Sequence, residues 1–426
     1  MSQPASTVIE SSQQMLAPVI LPKGWRLVQL KEICELNPRR ITYSTRSDNA
    51  PTTFVQMSAV DDVKGIIERP EVKTYANVKK GYTFFTEGDI LFAKITPCMQ
   101  NGKHAVARNL IDGIGFGSTE FHVLHPRESV LSDWIHFFVR QPSVLQTAMA
   151  HFTGAVGQQR VPESFLEALE IPLPPLSEQA RITATLKEQM AMVERARAAA
   201  EAQLNAAKDL PASYLRHLFD SSEARRWEKK RIGDVALLVQ NGIYKTAEHY
   251  GYGHPFLRMY NVQNNSWKLN LDRIALVNLE GNEQQTFALK RGDLLISRVN
   301  SFELVGKCAW VSTSAEGFVF ENMLIRIQLD SSVNSLFVAQ QMAADTIRKQ
   351  IEAVAKRAIG QASINSKDLR AIEIALPSLD VQEQISNELS ARVSSTEQAS
   401  KALQDQLNTI NKLPAALLRQ AFTGKL

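Results

Sequence analysis

The chain has 426 residues, of which 44% are hydrophobic and 22% charged, and its formal net charge is +4. This length predicts two or more domains, and the hydrophobic content can supply their cores, which excludes a globally disordered protein. The mild positive charge excludes a histone-like polycation, so any contact with nucleic acid must come from local basic patches.

The cysteines and the N-terminal residues further restrict the class of protein and its expected location. Cys34, Cys98 and Cys308 form no CxxC pair, so we expect neither a disulfide framework nor a zinc site, and we expect a cytoplasmic location. No apolar run approaches the length of a membrane span, which predicts no membrane partner. Residues 1–20 are rich in Ser and Gln without a basic start, which predicts a disordered tail rather than a signal peptide.

Residues 21–175 predict a mixed α+β domain. Short β-type runs alternate with glycine-containing turns, and we predict strands at 89–95, 105–107 and 120–124. An amphipathic pattern predicts one helix over residues 132–150.

A long helix is predicted next. Ser177 stands just after a run of prolines, where the N-cap oxygen of a helix is expected, and no Gly or Pro interrupts the chain from there to Leu210. At 1.5 Å rise per residue, such a helix is a rod of roughly 50 Å. Pro211 is expected to end or kink it.

Residues 221–378 predict the same plan again. Strands are expected at 293–299 and 323–329, and a helix at 335–355. A second long helix follows, with Asp380 in the N-cap position and Pro414 as its stop.

The two halves share one register. Ile-Pro-Leu-Pro-Pro-Leu-Ser-Glu-Gln begins at residue 171, and Ile-Ala-Leu-Pro-Ser-Leu-Asp-Val-Gln begins at 374, 203 positions later. Gly157-Gln158 matches Gly360-Gln361 at the same offset. Because solenoid repeats have periods of about 20–50 residues, this repeat is a duplicated domain with its trailing helix. The intervening segments diverge, which predicts similar units that contact different targets.

The long helices carry apolar residues at seven-residue spacing, the pattern of a coiled coil. One row is Leu186, Val193, Ala200 and Ala207 in the first helix, and Leu389, Thr396, Leu403 and Ile410 in the second. A flanking row is expected to begin at Ile182 and Ile385 and to contain buried glutamines such as Gln189 and Gln203. We predict an antiparallel helix pair that separates the two domains; the alternative is that each helix packs on its own domain. The predicted interface residues are Ile182, Leu186, Val193, Leu389, Leu403 and Ile410.

Motifs for catalysis are incomplete. Asn37-Pro38-Arg39-Arg40 lacks the second proline and the aromatic ring of an amino-methyltransferase loop. Gly102-Lys103 and Gly306-Lys307 lack the earlier glycine and the Ser/Thr of a phosphate-binding loop. His122 and His125 lie three apart in a predicted strand, where their rings face opposite sides, so we predict no metal site.

A polar, basic loop follows each Gly-Asp strand, at 94–104 and at 297–307. Lys and Arg suit phosphates and guanine edges, and Asn and Gln suit adenine. The second copy adds polar segments with interleaved aromatics at 241–245 and 258–265. A solvated loop without ligand is the alternative, but the same loop in both copies favours nucleic-acid contact. The candidate DNA-binding residues are Lys94, Thr96, Gln100, Asn101, Lys103, Asn241, Tyr244, Lys245, Arg258, Asn261, Arg298, Asn300 and Lys307.

This combination resembles the DNA-specificity (S) subunit of type I restriction-modification systems. The features that carry the resemblance are the strings starting at Leu21 and Ile171, the Gly-Asp strands, residues 251–258 and the C-terminal residues 419–426. The resemblance covers nearly the whole chain beyond the first twenty residues.

The resemblance implies an α+β architecture of two similar target-recognition domains separated by two long antiparallel coiled-coil helices, with an internal pseudo-two-fold. It implies a non-catalytic subunit that recognises a bipartite sequence in double-stranded DNA. Its partners would be two modification subunits, which use S-adenosylmethionine to methylate adenine, and two restriction subunits, which use ATP and Mg; the chain itself would hold no cofactor and no metal. The expected segments are 1–20 tail, 21–175 first recognition domain, 176–220 central helical spacer, 221–378 second recognition domain and 379–426 C-terminal helical spacer.

Two other functions stay open at this point. The chain could be an enzyme itself, for instance a nuclease built from Asp61, Asp62, Glu71 and Lys73, although ordinary surface charge explains these residues more simply. It could also be a helical adaptor whose globular units bind only protein.

Overall fold

The computed structural model describes residues 21–39, 46–155 and 157–426, so the predicted disordered tail lies outside the described residues. The chain divides into two compact units. Unit 1 comprises residues 1–199 together with 407–426, and unit 2 comprises residues 200–406. The division into five segments stays a prediction.

Both units are built on short strands separated by turns. In chain order the strands are β1 Arg26–Gln29, β2 Cys34–Leu36, β3 Pro51–Val55, β4 Glu71–Thr74, β5 Thr83–Thr86, β6 Ile90–Ala93, β7 His104–Val106, β8 Ile114–Gly117, β9 Phe121–Pro126, β10 Glu170–Leu173, β11 Glu228–Arg231, β12 Ala236–Asn241, β13 Tyr250–Leu257, β14 Ala275–Val277, β15 Leu294–Ser297, β16 Val299–Asn300, β17 Cys308–Trp310, β18 Val319–Phe320, β19 Leu324–Leu329, β20 Lys356–Ala358, β21 Gln361–Ser363 and β22 Glu373–Leu376.

The helices include two much longer than the rest, α6 and α12. In chain order they are α1 Leu30–Ile33, α2 Tyr75–Val78, α3 Ser132–Val139, α4 Pro142–Ala150, α5 Glu163–Ala168, α6 Leu176–Phe219, α7 Ile232–Val235, α8 Glu283–Phe287, α9 Ser335–Met342, α10 Asp345–Val354, α11 Ser366–Ala371, α12 Leu379–Ile410 and α13 Leu413–Phe422.

The sheets of the two units correspond in arrangement, although the mixed sheet has four strands in unit 1 and three in unit 2. Unit 1 contains the pair β1-β10, an antiparallel sheet in the order β2-β9-β6-β7, and a mixed sheet in the order β4-β3-β8-β5. Unit 2 contains the pair β11-β22, an antiparallel sheet β12-β19-β15-β17, and a mixed sheet β14-β13-β18. Unit 2 has in addition a small sheet in the order β16-β21-β20. The internal repeat is therefore a repeat of fold, as predicted from the sequence.

The core of each unit includes residues from two helices that are distant in sequence. In unit 1, Ile182 and Leu186 of α6 join Leu418 and Phe422 of α13 in one buried cluster around Trp134. In unit 2, the end of α6 supplies Leu215 and Phe219, and α12 supplies Leu389 and Val393, to the cluster around Phe337. Burying such side chains stabilises a fold by roughly 1.5–3 kcal/mol each.

The two helical segments of unit 1 run antiparallel. The Arg181 guanidinium near the start of α6 donates to the carbonyl oxygen of Leu426 at 2.8 Å. Further along, Val193 and Arg197 of α6 line the same cavity as Asn411 and Ala415, which precede the C-terminus by more than ten residues. The two helical segments therefore run in opposite directions.

Several predicted helix ends differ from the structure. The helix predicted over 132–150 is two helices, α3 and α4, because Pro142 starts a new one. The helix at 335–355 is also two, α9 and α10. Ser177 and Asp380 lie inside α6 and α12 rather than at the N-cap position, since both helices begin two residues earlier than predicted.

Pro211 does not end the first long helix. α6 continues through it to Phe219, although a proline removes one backbone hydrogen bond. The burial of Leu215 and Phe219 in the core of unit 2 offsets that loss. In the second copy α12 ends at Ile410, and Pro414 lies in the first turn of α13, where no helical hydrogen bond is lost.

The residues of the main heptad row are mostly buried, whereas burial departs from the predicted flanking row by one position; the helix–helix interface itself stays a prediction. Leu186, Val193, Ala200 and Ala207 are buried, as are Leu389, Thr396 and Ile410, while Leu403 is half-buried. Gln203 and Leu210 are exposed, and Leu204 is buried in place of Gln203. An α-helix has 3.6 residues per turn, whereas a seven-residue repeat assumes 3.5. A row of residues spaced by seven therefore rotates away from the buried face over several heptads.

A buried glutamine explains the repeated string before each long helix. The side chain of Gln179 accepts from the backbone N–H of Leu131 at 2.9 Å and donates to the carbonyl of Pro174 at 2.9 Å. Gln382 accepts in the same way from Asn334 N–H at 2.9 Å and donates to Pro377 at 2.8 Å. In each unit one amide thus joins the proline turn to the loop before a core helix.

Replacing Gln382 with leucine tests this role. Gln382→Leu leaves a part-buried N–H and a part-buried carbonyl without their partners, each costing up to about 1–3 kcal/mol. We expect the apparent melting temperature to fall by several degrees, at about 2–4 °C per kcal/mol for a unit of this size. Gln398→Leu, on the exposed face of the same helix, is the matched control. Equal melting curves for the two variants in a thermal unfolding experiment would contradict the assignment.

Candidate nucleic-acid interface

The Gly-Asp pair before β6 and β15 forms a tight, internally bonded turn. Gly88 and Gly292 have φ angles of +87° and +93°, a region that glycine adopts without strain. The Asp89 carboxylate accepts from Thr86 N–H at 2.7 Å and contacts His125 Nδ1 at 2.6 Å. Burial raises the pKa of Asp89, and it does the same to the pKa of Asp293. These aspartates support the turn and are not exposed to a ligand.

The loop after β6 is fastened to the body of unit 1. The guanidinium of Arg140 donates to the carbonyl of Gly102 at 2.5 Å and to the carbonyl of Asp62 at 2.8 Å. The Lys103 ammonium donates to the carbonyl of Val60 at 2.7 Å. Lys103 therefore holds the loop, and this loop presents its exposed Gln100 and Asn101 side chains outward.

Lys94 and Thr96 occupy the start of the same loop. Both are half-buried, and the backbone N–H of Lys94 donates to the carbonyl of Glu120 at 2.9 Å. The N–H of Thr96 donates to the carbonyl of Gln159 at 2.9 Å. The beginning of the loop is thus tied to a neighbouring segment at residues 153–160.

The loop after β15 has the same kind of support in unit 2. The Arg348 guanidinium donates to the carbonyls of Phe302 and Val305. Lys307 is half-buried and its Nζ lies 3.3 Å from Asn264 Oδ1, and burial lowers its pKa. Asn300 pairs with Ala362 of β21. Arg298, Asn300 and Lys307 therefore lie on one supported loop, as Lys94 to Lys103 do in unit 1.

The remaining candidate residues in unit 2 differ in exposure and in whether their side chains already form ion pairs. Asn241 and Tyr244 are exposed, with Tyr244 at 72%. The Lys245 ammonium lies 2.8 Å from a Glu283 oxygen, and Arg258 lies 3.1 Å from Glu321, so both cations are already paired.

Asn261 is placed differently from the other candidates. It is 1% exposed, and its amide donates to the carbonyls of Asn270 and Arg273 at 2.8 and 2.9 Å. Its oxygen accepts from Arg258 N–H at 2.8 Å. Since every polar atom of this side chain is occupied inside the fold, Asn261 shapes the loop and is left out of the surface proposed below.

One element was not assigned from the sequence. The matched Gly157-Gln158 and Gly360-Gln361 lie in segments that pair with the two candidate loops: Ile95 bridges Arg160 in unit 1, and β16 pairs with β21 in unit 2. The signal was the repeat itself, because both pairs occur at the 203-residue offset.

The residues considered for catalysis do not converge. His122 Nε2 contacts the carbonyl of Val161 at 2.9 Å, whereas His125 contacts Asp89. Asp61 caps the turn at Val63, and Glu71 pairs with Lys73 at 3.0 Å. Within residues 21–39, 46–155 and 157–426, no three His, Cys, Asp or Glu side chains form a group that could hold a metal ion.

Unit 1 also contains a cavity of about 770 Å³ beside α3, α6 and α13. Its charged lining is internally paired, because Asp133 contacts Arg108 at 2.9 Å and also the Lys187 ammonium. In the described part of the chain, no helix is both long and apolar enough to cross a bilayer.

The sequence matches one family over most of its length. Residues 22–200 and 224–409 match the family described as type I restriction modification DNA specificity domain. The chain belongs to this family. The two matched ranges follow the internal repeat, one in each half.

Curated relatives agree with the family. The chain is 37% identical over 208 residues to the type I restriction enzyme EcoEI specificity subunit of Escherichia coli, covering 49% of this chain and 34% of that relative. It is 34% identical over 217 residues to the EcoAI specificity subunit of the same organism, covering 50% and 36%. The matched stretches span about a third of these relatives.

A solved structure shares the fold. One chain from a study of complex assembly and conformational transition of the type I R-M system superposes with a TM-score of 0.77, covering 96% of this chain and all of that chain at 22% identity. This likeness supports the fold of two mixed α/β units with long helices.

Arg348→Met tests whether loop support matters for binding. The variant frees two carbonyls of the loop after β15, and we expect affinity for target DNA to fall roughly tenfold, the equivalent of one charge-assisted hydrogen bond. Because Arg348 supports the loop rather than contacting phosphate, the slope of log affinity against log salt should not change. Lys349→Met, at the exposed next position, is the control; a shallower slope for Arg348→Met would instead make Arg348 a phosphate contact.

Proposed function

We propose that this chain is the sequence-specific DNA-binding subunit of a type I restriction-modification complex and that it recognises a bipartite target in double-stranded DNA. The observation that supports the proposal most is the duplicated fold, with a supported polar loop after the Gly-Asp strand in each unit. Two similar binding units in one chain suit a target of two parts, because the second binding event becomes intramolecular.

The proposed DNA surface consists of the exposed and half-buried loop residues. Amide side chains such as Gln100, Asn101 and Asn300 suit adenine edges, and Arg298 suits guanine or phosphate. Lys245 and Arg258 join the surface only by exchanging their carboxylate partners for phosphate. The surface comprises Lys94, Thr96, Gln100, Asn101, Lys103, Asn241, Tyr244, Lys245, Arg258, Arg298, Asn300 and Lys307.

We further propose that the chain is not catalytic and has no cofactor of its own. Its partners would be two modification subunits that use S-adenosylmethionine and two restriction subunits that use ATP and Mg, assembled in the cytoplasm. The incomplete methyltransferase and phosphate-loop motifs support this division of labour. The recognition domains would be 21–175 and 221–378, and the helical spacers 176–220 and 379–426.

Selection from random-sequence duplexes tests the proposal. The full chain, assembled with modification subunits, should enrich two short sequences separated by a gap of constant length. Enrichment of no sequence would favour the adaptor that binds only protein. Transfer of a methyl group from S-adenosylmethionine by the purified chain alone would favour the enzyme.

The long helices are proposed to set the gap between the two half-sites. Removing one heptad from each, residues 194–200 and 397–403, keeps the buried faces aligned and shortens each rod by about 10 Å, or about three base pairs. We expect the gap in methylated sites to shorten by about this amount while both half-site sequences stay the same. Exchanging the two heptads between the helices is the control of equal length, and an unchanged gap in the shortened variant would refute the role of the helices.

A further inference from the structure

The hairpin formed by β20 and β21, residues 356–363, extends the candidate loop of unit 2. β21 pairs with β16, so that Val299 faces Ser363 and Asn300 faces Ala362. The N–H of Ile364 donates to the carbonyl of Arg298 at 2.9 Å. This hairpin, called the tip hairpin below, is therefore hydrogen-bonded to the loop that carries Arg298 and Asn300.

The base of the tip hairpin is well anchored. Ala362 and Ile364 are each 1% exposed and belong to the main core of unit 2. The guanidinium carbon of Arg357 lies 3.7 Å from the centre of the Phe302 ring, a cation–π contact within the loop after β15. A hairpin anchored in this way can hold its turn in a fixed position.

The turn itself exposes an apolar side chain. Ile359 is 105% exposed, more than any other large hydrophobic residue of the described chain, and it precedes Gly360, whose φ is +73°. Lys356, Arg357 and Gln361 around it are exposed as well. Residues 355–365 contain no Asp or Glu; Glu303, in the facing loop, interacts with Arg357.

A similar tetrad, with Val in place of Ile, occurs in the other unit. Ala155-Val156-Gly157-Gln158 matches Ala358-Ile359-Gly360-Gln361 at the 203-residue offset. Residue 156 lies outside the described residues, but Thr153 and Arg160 on either side of it pair with each other. The tetrad is kept in both copies although the segments expected to distinguish the two half-sites diverge. A contact that both units make must act on a feature that both half-sites share. The base sequence is not such a feature, because it differs between the half-sites.

Resting on the proposed function, we propose that the tip hairpin is a sequence-independent DNA contact. Ile359 wedges against a base step, and Lys356 and Arg357 contact phosphates on either side. Apolar side chains inserted at a step partly unstack and kink a duplex, whatever its sequence, and cations on the flanks attract the backbone. The absence of acidic residues from 355–365 suits a polyanion.

The test uses the full chain assembled with modification subunits and a duplex carrying the mapped target. Ile359→Ala should lower affinity about tenfold and reduce the bend of the duplex, measured by energy transfer between end labels. It should leave the set of methylated sequences unchanged, whereas Asn300→Ala should relax it at one position. Lys356→Ala should reduce the salt slope by about 1.

Leu237→Ala removes an exposed aliphatic side chain elsewhere in unit 2 and is the matched control. Because Ile359 is exposed, its replacement should leave thermal unfolding unchanged. Affinity equal to that of Leu237→Ala, or an altered set of methylated sequences, would overturn the tip-hairpin proposal while leaving the proposed function intact. Loss of assembly with modification subunits, with normal DNA affinity of the complexes that form, would overturn it too, because the hairpin would then contact protein. Failure of the unmodified chain to select any sequence would refute the proposed function itself.

Discussion

The fold depends on how each unit is closed by helical segments that are distant in sequence. Unit 1 uses residues 407–426, which follow the whole of unit 2, and unit 2 uses the second half of α6. The contributions are equivalent: Leu418 and Phe422 in one core correspond to Leu215 and Phe219 in the other, at the same offset. The core of unit 1 therefore depends on α13 near the C-terminus, and the core of unit 2 depends on the C-terminal part of α6, whose first residues belong to unit 1.

Side-chain hydrogen bonds from glutamine and arginine residues connect the two cores to the surface loops. Gln179 and Gln382 join the start of each long helix to the loop before α3 or α9, and Arg140 and Arg348, near those helices in sequence, fasten the loops after the Gly-Asp strands. Half-buried arginines that donate to backbone carbonyls fix a loop without fixing the identity of its exposed side chains. This is the arrangement expected when exposed residues vary with the target while the scaffold stays constant.

The duplicated fold and the long helices could be predicted from the sequence, because they depend on periodicity and repetition. The repeated string, the Gly-Asp turns and the heptad row indicated a duplicated fold and its helices. The predictions that were wrong depend on tertiary context. Pro211 is tolerated inside α6 because residues beyond it are buried. The flanking row is exposed at Gln203 because a seven-residue spacing rotates around the helix. Among the candidate site residues, Asn261 has the composition of a base-contacting residue but is buried under its own loop. Conversely, Ile359 gives no polar signal in the sequence; the repeated Gly-Gln pair beside it and its exposure on an anchored hairpin mark it.

If the two units are separate binding elements within one chain, as proposed, exchanging one of them is the most direct test. Residues 221–378 would be replaced by the corresponding domain of another member of the family, and methylated adenines would be mapped across a genome that carries the complex. We expect a target in which one half-site is new, the other is retained, and the gap is the same. A change in both half-sites, or methylation without a two-part target in the unmodified chain, would contradict the proposal.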